Sequence, residues 1–159
     1  MRLVVSIGAQ AADLLDDRGI HVRRYVVSTA ANGPGEIRNS FCTPRGHHVV
    51  RAKIGAGMPA GTVFVKRRPT GETCTPELCA ENPGRDWILT RILWLSGTQP
   101  GFNRLGDRDT MQRYIYIHGT GDETRLGAPG SKGCIRMSNR DIVELFDLLP
   151  AGTPVEIME

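Results

Sequence analysis

Two residues of this chain have types and surroundings suited to covalent chemistry: His118, which closes an alternating run that begins at Tyr114, and Cys134, set between Gly133 and Ile135. In a period-two pattern Tyr114, Tyr116 and His118 share one face, and Ile115 and Ile117 take the other. His118 is thus expected as the last side chain of a strand. Gly119, Gly121, Gly127, Pro129, Gly130 and Gly133 follow, too many breakers for a continuous helix or strand. The reading is a loop that folds back and sets the thiol beside the imidazole. A free thiol has a pKa of about 8.5, and a neighbouring imidazole lowers it so that the nucleophilic thiolate is populated near neutrality. That is the pairing acyl transfer needs.

The neighbours of Cys134 fit the same chemistry. Gly133 permits a tight backbone turn that presents amide N–H groups for an oxyanion hole. Arg136 has the strand phase of Cys134, and its planar fork suits a substrate carboxylate. Tyr116, on the His118 face, is a candidate substrate contact. The competing reading is an inert buried cysteine beside a hydrogen-bonded histidine, which would be the better one for an arbitrary Cys and His. The glycines and the arginine favour catalysis.

The pattern His118-Gly119, a glycine-rich spacer and Ser131-Lys132-Gly133-Cys134-Ile135-Arg136-Met137-Ser138-Asn139 resembles the L,D-transpeptidase catalytic domain of the YkuD type. The resemblance implies a mainly β fold, a curved sheet or sandwich with one or two short helices. It implies Cys134 as nucleophile, His118 as its base, and the Gly119 carbonyl orienting the imidazole. Ser131, Lys132, Gly133 and Arg136 match positions that line the site; many relatives carry histidine where Lys132 stands. The implied substrates are peptidoglycan stem tetrapeptides or muropeptides, cut between the L-centre of meso-diaminopimelate and D-alanine. Acylation of Cys134 by carbapenems is implied as well, and no cofactor.

At 159 residues the chain is expected to form one domain around one core. The net charge of +3 is small. Its dense basic clusters, Arg23-Arg24 and Lys66-Arg67-Arg68, read as solvated surface rather than a nucleic-acid footprint. No run approaches the roughly twenty apolar residues of a membrane span. The opening MRLVVSIGAQ does not read as a secretory leader, so the expectation is a cytoplasmic protein, or a periplasmic one if the natural chain begins earlier. A cytoplasmic chain keeps Cys42, Cys74, Cys79 and Cys134 reduced, and a Cys74–Cys79 disulfide is expected only on export. The cysteines and histidines lack the spacing of a zinc site.

The elements that must position the pair follow from the same patterns. Strands are expected over Arg2–Ile7, Ala11–Leu15 and Ile20–Ser28, with Leu3, Val5, Ile7, Val22, Val26 and Val27 in the core. Thr43-Pro44-Arg45-Gly46 resembles a family segment that precedes a strand. Further strands are expected over His48–Ile54, Thr62–Lys66 and Trp87–Leu95, with His47 and His48 at the surface or half-buried. Lys66–Asp86 reads as a long polar loop with one helical turn capped by Thr75 and led by Pro76, a candidate lid. Ser138, with Asp141 three residues on, is expected to cap a helix whose apolar face is Ile142, Leu145, Phe146 and Leu149. Val155 and Ile157 form a last strand.

The function expected from these residues is acyl transfer through a Cys134 thioester. With the cytoplasmic reading, it is an L,D-carboxypeptidase that removes D-alanine from recycled tetrapeptides, the Lys66–Asp86 segment admitting only water. The alternative is an exported L,D-transpeptidase forming 3-3 cross-links or exchanging D-amino acids. A non-catalytic wall-fragment binding module is the reading from another class.

Overall fold

The computed structural model describes residues 1–159. In chain order the strands are β1 (Arg2–Ser6), β2 (Ala11–Leu15), β3 (His21–Val26), β4 (Gly46–Ile54), β5 (Thr62–Val65) and β6 (Arg68–Thr73). A short helix α1 (Pro76–Glu81) leads to β7 (Ile88–Gly97), β8 (Tyr116–Gly119), β9 (Ile135–Met137), helix α2 (Asn139–Leu148) and β10 (Pro154–Met158). All ten strands belong to one hydrogen-bonded sheet in the order β3-β2-β1-β10-β4-β7-β5-β6, with β8 on β7 and β9 on β8. The fold is mainly β with two short helices.

The opening meander is antiparallel, and its second turn is held by Asp16, whose Oδ1 accepts from the amides of Arg18 and Ile20. β7 is the longest strand, apolar over most of its length, and Leu89, Ile92, Leu93 and Leu95 are fully buried. It pairs with β4, β5 and β8, so β8, and β9 beyond it, hang on a strand that is buried over most of its length. The core lies between this sheet and α2, where Ile142, Leu145, Phe146 and Leu149 meet Leu93, Ile117, Ile135 and Met137. Ser138 Oγ accepts from the Asp141 amide at 3.0 Å, so the helix begins as its sequence predicts.

Several expectations change. Val22 and Val26 are about half exposed, because β3 is the edge strand and only Tyr25 among its residues turns under cover. His48 is buried, its ring nitrogens within 3.0 Å of Gly46 O and Thr110 Oγ1. Its strand lies inside the sheet, between β10 and β7. Tyr114 precedes β8 with a left-handed φ of 58° and is exposed, so it does not share a strand face with Tyr116 and His118.

Lys66–Asp86 is a β-hairpin arm and a helix rather than a loop. β6 pairs back on β5, Thr75 caps α1 with Pro76 at its start, and Arg85 Nη2 lies 2.8 Å from Glu72 Oε1. Cys74 and Cys79 are joined by a disulfide, with Cα atoms 5.9 Å apart, instead of remaining free thiols. Capping by Thr75 starts the helix where it brings the two sulfurs together, and the bridge packs with Val63, Trp87 and Leu89.

Candidate active site

Parallel pairing of β8 with β9 sets Ile117 opposite Ile135 and His118 opposite Arg136. Since side chains alternate along a strand, Tyr116 and His118 share one face, and Cys134 and Arg136 share the same face of the neighbouring chain. Cys134 falls beside Tyr116, whose amide N–H lies 3.3 Å from the sulfur, while the thiol lies 3.4 Å from Tyr114 O. Cys134 and His118 are diagonal neighbours. No hydrogen bond joins them in this resting arrangement; the thiol is held by backbone instead.

His118 is almost wholly buried, and its Nδ1 lies 2.7 Å from the Gly119 carbonyl oxygen. A carbonyl only accepts, so Nδ1 carries the proton and the Nε2 lone pair is left free for base chemistry. The corner after His118 requires glycine. A Cβ on Gly119 would sit 2.3 Å from Asn139 Oδ1 and 2.8 Å from Leu89 O. Asn139, the first residue of α2, donates to Thr120 O at 2.9 Å, and its Oδ1 accepts from Thr90 Oγ1 at 2.5 Å. Thr90 sits in the bulge of β7 with φ of 76°. Helix, bulge and corner are thus tied through one amide side chain.

The chain around Cys134 is pinned on both sides. Thr43 Oγ1 donates to Gly133 O at 2.9 Å, and the Ser131 hydroxyl donates to Cys134 O while accepting from the Gly133 amide at 3.2 Å. Gly133 has φ of 126°, and a Cβ there would meet Ile115 Cδ1 at 3.0 Å and Cys42 O at 3.2 Å. Of the amide groups near the thiol, that of Gly133 is spent on Ser131, whereas that of Cys134 has no acceptor in the protein.

Cys134 opens on a cleft of about 590 Å³ whose charged lining is Lys66, Arg67, Arg113, Lys132, Arg136 and a single acid, Asp86. Arg136 Nη2 lies 3.4 Å from Asp86 Oδ1 and Nη1 donates to Gly130 O, so its fork is partly engaged, while its buried Nε has no partner. Arg113 donates to Gly35 O, Ser40 Oγ and Cys42 O, clamping the loop before β4 to the cleft floor. Tyr116 is buried with its hydroxyl accepting from Arg67 Nη1 at 3.0 Å. Lys132 is exposed at the rim. No group of three or more His, Cys, Asp or Glu gathers to hold a metal ion.

Burial dominates the electrostatics. It pushes the Cys134 thiol up to about 12, against the pull of the Tyr116 amide and of Arg136 and Arg113, with Asp86 adding to the rise. It drives the His118 imidazole well below its ordinary range, offset in part by the Gly119 carbonyl and Asp86. Burial thus favours the neutral thiol and the neutral imidazole at rest, opposing the thiolate that proximity alone would favour.

The sequence reading did not single out Arg67, Arg113, Asp86 or Asn139. Arg67 lay in a basic run that reads as solvated surface, and Asp86 at the end of an apparent loop. Nothing local marks Arg113. Asn139 stood inside the quoted motif, where its position directly after the Ser138 cap was the available signal.

The L,D-transpeptidase catalytic domain family matches residues 1–157. Among curated proteins, "Probable L,D-transpeptidase ErfK/SrfK" of Escherichia coli is 47% identical over 151 residues, covering 87% of this chain and 45% of that protein. "Probable L,D-transpeptidase YbiS" of Escherichia coli is 31% identical over 111 residues, 67% of this chain and 35% of that protein. The chain spans less than half the length of these relatives. The structure of L,D-transpeptidase 3 from Mycobacterium tuberculosis with a faropenem-derived adduct superposes with a TM-score of 0.59, covering 99% of this chain and 59% of that one at 17% identity. The sheet, the helix behind β8 and a match that runs nearly end to end agree: the chain belongs to the L,D-transpeptidase catalytic domain family of the YkuD type.

Proposed function

We propose that the chain catalyses acyl transfer at the L,D bond of peptidoglycan stem tetrapeptides, with Cys134 as nucleophile and His118 as base. The observation that carries this reading is a thiol at the floor of a cationic cleft, next to an imidazole whose Nδ1 is committed to Gly119 O. Cys134 Sγ attacks the carbonyl of the L-centre of diaminopimelate as its proton passes to His118 Nε2. The oxyanion develops against the unpartnered Cys134 amide. Collapse breaks the C–N bond, the D-alanine amine leaves with the His118 proton, and a thioester remains on Cys134. An acceptor amine then loses its proton to His118, attacks the thioester and releases the thiol.

The Cys74–Cys79 disulfide supports an amine acceptor met outside the reducing cytoplasm, because such bridges persist where the surroundings are oxidising. This is the exported L,D-transpeptidase reading. The second reading, an L,D-carboxypeptidase of muropeptide recycling in the cytoplasm, is favoured by one feature: Lys66, Arg67 and Asp86 bring both ends of one segment to the cleft wall, the placement a segment that admits only water would need. Another solved L,D-transpeptidase, held in complex with imipenem, supports a matching expectation that a carbapenem adds its mass to this protein at Cys134.

The deciding experiment incubates purified disaccharide-tetrapeptide with the oxidised protein and with Cys134→Ala, and reads the products by mass spectrometry. Dimers joined 3-3, absent with Cys134→Ala, are expected. Tripeptide alone would establish the hydrolytic reading, and no Cys134-dependent product would sink both.

A further inference from the structure

The turn between β5 and β6 is made by Lys66 and Arg67, with φ of 49° and 64°. Two consecutive left-handed residues are the mark of a hairpin turn that favours Asn-Gly, and long side chains with a Cβ are poorly suited to it. Here the unfavourable pair is held by what Arg67 touches. Its guanidinium lies 5.0 Å from the centre of the Trp94 ring and 4.8 Å from that of Tyr114, and Nη1 donates to the Tyr116 hydroxyl at 3.0 Å. No carboxylate of the protein lies within ion-pair distance of Arg67, and one nitrogen of its fork makes the only hydrogen bond. The other cleft cations are placed differently. Arg136 already faces Asp86, Arg113 is spent on backbone and Ser40, and Lys66 and Lys132 are exposed.

We propose that Arg67 is a specificity residue that binds the free carboxylate on the side chain of diaminopimelate in the acyl donor. The inference rests on the stem-peptide reading of the cleft. Arg67 is a rigid, aromatic-backed fork with donors to spare, the geometry that suits a carboxylate. It also lies at a useful distance. The Tyr116 amide touches the Cys134 sulfur and the Tyr116 hydroxyl touches Arg67, so one tyrosine side chain and one hydrogen bond separate nucleophile from guanidinium. An extended diaminopimelate side chain spans a comparable length from its attacked carbonyl to its far carboxylate. The terminal carboxylate of D-alanine, next to the scissile bond, is too close to that carbonyl to reach.

The test measures binding to Cys134→Ala protein by calorimetry, using tetrapeptides whose diaminopimelate side-chain carboxyl is free or amidated. The free acid is expected to bind roughly tenfold tighter, as losing a charge-assisted bidentate contact implies. Adding Arg67→Gly should erase that preference while leaving the fold intact, since glycine suits the left-handed turn better than arginine does. A peptide amidated only at its terminal D-alanine should still bind in an Arg67-dependent way. Equal binding of acid and amide, a preference that survives Arg67→Gly, or no binding of either peptide overturns the proposal. Release of D-alanine by the unmodified enzyme is scored separately: a preference without release would count against the proposed reaction and not against Arg67, and release without a preference the reverse.

Discussion

Neutrality of the resting Cys134–His118 pair makes a prediction at the level of single groups. With the thiol pushed up by burial, alkylation of Cys134 by iodoacetamide should keep rising through pH 9, with no plateau near neutrality. A plateau below pH 7, followed by mass spectrometry of the Cys134 peptide, would mean a preformed thiolate–imidazolium pair instead. Gly119→Ala should lower activity by more than tenfold, because the added methyl collides with Asn139 and Leu89 and displaces the carbonyl that fixes the imidazole. Near-normal turnover would show that the corner relaxes freely. The motif made Cys134 and His118 visible because glycine, cysteine and arginine sit at fixed offsets along the chain. Arg67, Arg113 and Asp86 were hidden because they come together only when β5, β8 and the segment before β7 assemble.

Among the elements, α2 was the most legible: a serine cap, an acidic residue three positions on and four apolar residues on one face leave little choice of structure. Phe146, 4% exposed, carries Lys53 and Arg91 over its ring. Phe146→Ala should cost about 3–5 kcal/mol in a denaturant titration; a loss under 1 kcal/mol would mean that the helix does not brace β8. The β6 strand was illegible for a physical reason. Its sequence contains Pro69 and Gly71, it lies at the sheet edge where proline is tolerated, and its register with β5 shifts partway. Neither periodicity nor propensity announces such a strand. The Cys74–Cys79 bridge closes a short loop of separation 5, so Cys74→Ser with Cys79→Ser should cost roughly 2 kcal/mol. An unchanged midpoint would show that the Trp87 cluster holds the segment without it.

For the molecule as a whole, two buried neutral histidines set the acid limit. His48 and His118 are both lowered by burial, His48 to about 4, whereas the unfolded chain takes up these protons near pH 6.5. Unfolding is therefore favoured progressively as pH falls from about 6.5 towards 4, ahead of the loss from Glu36, whose carboxyl is held below its ordinary value in the ion pair with Arg45. The melting temperature should drop between pH 7 and 5, and His48→Gln should shrink that drop; an equal drop in the variant would place the acid sensitivity elsewhere. The order of the sheet has a consequence for synthesis. β1 meets the rest of the sheet only through β10, with Leu3 opposite Val155 and Val5 opposite Ile157. During synthesis β1 is therefore made well before the strand that ties it to β4. Until β10 is made, β1 keeps an open edge, and a chaperone acting on the nascent chain would find its client there.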